Sequence, residues 1–91
     1  MEKKSWTFLT YHGRVIVYLM KHSQATCREI AQEAEVTERA IQKVIYDLVA
    51  DGYIVRQKVG RGNKYKIHPE LPMRHRMERE HAVGDLLQAL K

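Results

Sequence analysis

A single cysteine, Cys27, rules out any disulfide within the chain, which suits a reducing compartment. Long apolar runs are missing too. Nothing approaches the ~18 residues that cross a bilayer, and Met1 to Trp6 lacks the apolar stretch of a signal peptide, so a cytoplasmic protein without a membrane partner is expected. Proline occurs only at Pro69 and Pro72, which mark a connector. There is no glycine-rich phosphate loop, no paired-carboxylate arrangement and no G-x-S-x-G elbow, so neither an enzyme nor a cofactor is expected. With 91 residues, 44% of them hydrophobic, the chain suffices for one domain spanning residues 1–91.

Charge is present and unevenly placed. The net charge of +5 divides as +1 over residues 1–36, +4 over 37–68 and zero over 69–91. Residues 53–68 hold Arg56, Lys58, Arg61, Lys64 and Lys66 without one acid. Such a local basic patch is the electrostatic footprint of a polyanion partner.

Apolar spacing predicts a first helix over about residues 10–21, with Thr10 as its cap. Thr26-Cys27-Arg28-Glu29 has the S/T-x-x-E form of a capping box, so a short second helix should begin at Cys27 and stop at Glu35-Val36-Thr37. Thr37 is a good cap for a third helix over about 38–51, where Ala40, Ile41, Val44, Ile45, Leu48 and Val49 recur at helical spacing and Gly52 ends the run.

Two β-rich stretches follow, Tyr53 to Val59 and Lys64 to His68, separated by Gly60-Arg61-Gly62-Asn63, which predicts a hairpin. Alternation within each stretch puts Val59, Tyr65 and Ile67 on one face and Arg56, Lys58, Lys64 and Lys66 on the other. Residues 73–91 read as a final helix with Met77, Val83, Leu86, Leu87 and Leu90 as apolar positions and Gly84 as a mild weakness. The expected architecture is mainly α with a small β-hairpin: a winged helix-turn-helix with a three-helix core, a wing and a C-terminal helix.

The residues that carry this likeness run from Thr26-Cys27-Arg28-Glu29-Ile30-Ala31 through Val36-Thr37-Glu38-Arg39-Ala40-Ile41-Gln42, with Asp51-Gly52-Tyr53-Ile54 and the Val59 to Asn63 tip. The segment over about residues 9–68 resembles the DNA-binding core of MarR-type transcriptional regulators of bacteria and archaea. The resemblance implies a nucleoid-associated regulator whose partner is double-stranded DNA. Full-size MarR proteins have longer flanking helices that build the dimer and an effector cleft, so the identity of an effector does not carry over.

A helix fits the DNA major groove and offers its N-terminal residues to base edges. The exposed side of the third helix would present Glu38, Arg39, Gln42, Lys43 and Tyr46. Arg39 suits guanine and Gln42 adenine, whereas Lys43 and Tyr46 suit phosphates or the groove wall, and Thr37 heads the helix where a phosphate could sit. Glu38 is read as a helix-capping acid in place of a base contact. On the wing, Arg61 and Asn63 could enter the minor groove while Lys58 and Lys64 grip phosphates; Gly60 and Gly62 serve the turn geometry. The bland counterpart is a solvated helix face beside a hairpin kept soluble by lysines.

Trp6, Leu9, Val83, Leu86, Leu87 and Leu90 are assigned to a homodimer interface, because the last helix has no evident place in a completed core. A two-fold pair would set two reader helices about 34 Å apart. The alternative is packing of that helix on its own first helix with Trp6 and Phe8. His75, Glu78 and His81 share roughly one helix face but lack metal-site spacing, so no metal is assigned. Cys27 in a first helical turn could have a lowered thiol pKa, although no resolving cysteine exists, and packing is the plainer role. An interaction module and a non-specific architectural DNA binder remain as other functional readings.

Overall fold

The computed structural model describes residues 6–91, and each of its first three helices starts at a threonine. Thr10 accepts a hydrogen bond from the Gly13 amide and opens α1, Tyr11–Lys21. At α2, Cys27–Ala34, the Thr26 hydroxyl accepts from the Glu29 amide at 3.1 Å while the Glu29 carboxylate accepts from the Thr26 amide, the reciprocal box that the sequence predicts. Thr37 accepts from the Ala40 amide at 3.1 Å and opens α3, Glu38–Ala50. Each hydroxyl satisfies an amide that the helix start leaves without a partner.

Two left-handed residues end these helices. Glu35, with φ 57°, closes α2 and makes the tight turn into α3. Gly52, with φ 82°, follows α3, and the Tyr53 amide reaches back to the Leu48 carbonyl at 2.9 Å. That bond closes a Schellman-type stop, for which glycine has no steric penalty. The three helices bury Val15, Ile16, Leu19, Ile30, Ile41, Val44, Ile45 and Leu48 against one another, joined by Ile54 and Tyr65 from the hairpin.

The hairpin pairs β1, Ile54–Val59, with β2, Gly62–Ile67. Its antiparallel register runs from Ile54 opposite Ile67 to Val59 opposite Gly62, which leaves Gly60-Arg61 alone as the turn. Gly60 has φ 59°, fitting a two-residue turn with glycine in its first central position. The expected four-residue tip is therefore corrected: Gly62 and Asn63 are strand residues. The expected faces change as well. Arg56 lies opposite Tyr65 and Lys58 opposite Asn63, so both share the core-side face, while Lys64 and Lys66 lie with Gln57 and Val59 on the outer face. With an even number of turn residues, two or four, even positions of β1 share a face with odd positions of β2, so the expected grouping fails by parity across the turn. The Tyr65 amide also donates to the Ser23 carbonyl at 2.8 Å, anchoring the wing to the loop between α1 and α2.

The C-terminal region departs most from expectation. Instead of one helix over residues 73–91, turns lead to a short α4, Val83–Ala89. Between Met73 and Ala82 only Met77 could have formed an apolar stripe, and it is 84% exposed, so nothing stabilises a longer helix there. The chain instead closes on itself through an isolated bridge between Pro72 and Ala82. The Val83 amide donates to Leu71 and the Gly84 amide to Pro69, both at 2.8 Å. Gly84 is needed for this approach: a Cβ there would lie 3.0 Å from the Pro69 carbonyl oxygen.

Val83 and Leu87 are buried in the chain's own core, which corrects their assignment to a dimer interface. The core was not complete without them. Leu9 and Leu86 are half-buried, and Trp6 and Leu90 are exposed. No helix among the described residues is long and apolar enough to cross a membrane.

Candidate nucleic-acid interface

The apolar positions of α3 face inward, which turns Glu38, Arg39, Gln42, Lys43 and Tyr46 outward together, and all five are exposed. The turn from Glu35 to Thr37 sets the start of this helix beside α2. Glu38 occupies the first turn, where a carboxylate is favoured by the helix dipole, but the hydrogen bond that caps the helix belongs to Thr37.

Lys43 is not a free ammonium on this face. Its Nζ contacts one carboxylate oxygen of Asp47 at 2.6 Å, and His12 Nε2 of α1 contacts the other at 2.8 Å. The hydrogen bond from Lys43, followed by that from His12, holds the Asp47 carboxyl below the usual carboxylate range. Lys43 also lies 6.0 Å from the centre of the Tyr46 ring. The same helix thus carries a cation aimed by a carboxylate and braced from α1. The i, i+4 spacing of Lys43 and Asp47 is a local signal for their pairing; the contact with His12, 35 residues away in sequence, has none.

On the wing, Lys58, Arg61, Gly62, Asn63 and Lys64 are all exposed. Arg61 stands at the turn. Lys58 and Asn63 form a facing pair on one side, and Lys64 stands on the other, so the hairpin carries polar contacts on both faces instead of one. Arg56 lies 5.8 Å from the centre of the Tyr65 ring, and this cation–π contact holds it against the base of the wing. The sequence places Arg56 on a solvent face with Lys64 and Lys66, whereas the register sets it beside Tyr65.

Burial raises the Cys27 thiol pKa, an effect that the nearby Arg56 only partly opposes and Glu38 adds to. The expected dipole effect is thereby reversed, which favours the packing role for the thiol. Neither of the two C-terminal histidines weighed as metal ligands is shared with Glu78: His75 Nδ1 accepts from the Met77 amide, and His81 pairs with Asp85 at 3.3 Å. Among the described residues no three His, Cys, Asp or Glu side chains are grouped to hold a metal ion.

Comparison with known proteins agrees with this architecture. A family model described as sugar-specific transcriptional regulator TrmB matches residues 8–70. A solved structure of a proposed transcriptional regulator from Lactobacillus plantarum superposes with a TM-score of 0.57 at 23% identity, covering 86% of this chain and 48% of that one. This chain spans about half the length of that protein, and the likeness is one of fold. No curated protein matches the sequence. The four helices and two-stranded hairpin form a winged helix-turn-helix, and the family matched is TrmB where the sequence resembles MarR-type regulators.

Proposed function

The chain belongs to the TrmB family of transcriptional regulators, and from that premise we propose that it regulates transcription by binding specific sites in double-stranded DNA. In this reading α3 lies in the major groove. Arg39 and Gln42 address base edges, Lys43 and Tyr46 the phosphates, and Thr37 with the α3 amides holds a phosphate at the helix start. The wing reaches the adjacent minor groove with Arg61 and Asn63, flanked by Lys58 and Lys64 on its two faces. The likeness of Thr26 to Gln42 to MarR-type regulators supports the same placement. A homodimer in the cytoplasm, with Leu86, Leu90, Leu9 and Trp6 toward the partner, would present two reader helices to an inverted repeat.

One observation carries the reading: an outward polar face on α3 stands next to a hairpin of five cations and no acid. Selection from random duplexes at about 150 mM salt tests it, because phosphate contacts alone lose affinity steeply with salt for every sequence. Enrichment of an inverted repeat with half-sites about ten base pairs apart is expected. Binding without enrichment would leave an architectural role, and absence of binding would leave an interaction module.

A further inference from the structure

An apolar groove of about 520 Å³ opens between α1, the C-terminal half of α3 and the C-terminal region. Leu9, Ile16, Leu48, Val83 and Leu86 line it, with Phe8 at its edge. None of Glu38, Arg39, Gln42, Lys43 and Tyr46 lines it, although His12 and Asp47, which brace Lys43, do. Directly before α1 stand Trp6 and Phe8, packed edge-to-face at 5.1 Å, with Trp6 67% and Phe8 93% exposed. Two large aromatic side chains that pack on each other and almost nothing else form an exposed apolar projection beside an unfilled apolar recess.

We propose that the groove receives the Trp6–Phe8 pair of a second copy of this chain, and that the exchange is reciprocal. Two considerations favour a second copy over other occupants. Leu9 and Leu86, which the sequence assigns to a dimer interface, line the groove itself. Area is also sufficient. If each aromatic buries about 150–200 Å² and the groove walls lose a similar amount, two reciprocal insertions bury roughly 1,200–1,600 Å², the size of a stable interface.

This inference deepens the dimer part of the reading above and rests on it, so its test is made without DNA. Sedimentation of the full chain over about 1–200 μM should show a dimer, and Trp6 fluorescence should shift to the blue as the dimer forms. Phe8→Asp should keep the fold, because Phe8 is almost fully exposed, yet raise the dimer dissociation constant at least about 30-fold, as expected for loss of an interface anchor. Leu86→Arg obstructs the groove and should do the same.

Mixing the two variants is decisive. A heterodimer retains one intact projection facing one intact groove, so the mixture should associate more tightly than either variant alone. If it does not, the aromatics meet each other instead of the groove and the proposal fails. It fails too if Phe8→Asp dimerises like the parent protein, or if the parent is monomeric throughout. Selection on DNA remains a separate result: enrichment of a single half-site by a monomer would sink the dimer and leave the reader helix standing.

Discussion

Residues 9–68 and residues 69–91 reach their folds by different routes. In the first region each helix begins at a threonine hydroxyl and follows an apolar stripe, so local chemistry and burial agree. In the second, α4 starts at Ala82 with no side-chain cap, and the carbonyls of Leu71 and Pro69 receive its first amides. The first region is specified along the chain; the second is specified by what it folds against.

The comparison is most sharply tested in the core. Ile45→Ala, at a site with no exposure, should cost about 3–5 kcal/mol and unfold both regions together in a denaturant titration. Leu87→Ala should cost about 2–3 kcal/mol, and a single shared transition in both variants would show that α4 belongs to the same cooperative unit. An early loss confined to residues 69–91 in hydrogen exchange would separate the regions.

Function should divide differently from stability. Arg39→Ala should lose about 1–3 kcal/mol on the preferred duplex and relax its sequence preference, whereas Arg61→Ala should weaken all duplexes more evenly. Neither should lower the melting temperature appreciably, since both side chains are exposed. If Arg39→Ala left affinity and preference unchanged, α3 would not be the reader.

Smaller effects probe the helix starts. Thr26→Ala should cost about 1 kcal/mol by removing the cap of α2. Ala82→Ser should change stability by less than about 0.5 kcal/mol, because backbone carbonyls already occupy the amides a cap would serve. Gly84→Ala, by contrast, should cost about 1–2 kcal/mol through its approach to Pro69.

The weakest effect is that of pH. The Asp47 carboxyl titrates below its usual range when folded, so its contribution is complete above that range and is lost as pH falls through the folded value. Melting temperature followed down from pH 6 to pH 2 should decline less in Asp47→Asn than in the parent protein. Equal declines would mean that the exposed pair with Lys43 adds nothing to stability.

Most of α1 to α3 was legible because caps and stripes are local: Thr10, Thr26 and Thr37 lie where the helices begin, and Gly52 lies where α3 has ended. The outward face of α3 followed directly, since burying Ile41, Val44 and Leu48 fixes what points outward. The faces of the wing were not read correctly, because parity has to be carried across the turn: an even turn, of two residues or of four, sets even positions of β1 with odd positions of β2. Nor was the short α4. Val83 and Leu87 carry the same apolar signal whether they meet their own core or a partner, and only the distant backbone of Pro69 and Leu71 decides between them. His12 against Asp47 was likewise invisible, being a contact between two helices that no single stretch records.

That contact bears on how the protein would reject DNA. The Lys43 ammonium has three N–H donors, so one can stay with Asp47 while another meets a phosphate. A phosphate arriving in line with Lys43 gains a cation already held in place, but one displaced toward Asp47 meets a carboxylate that His12 keeps from swinging aside. In the proposed DNA-bound arrangement the pair would therefore discriminate by repulsion as well as attraction against a duplex whose backbone runs out of step.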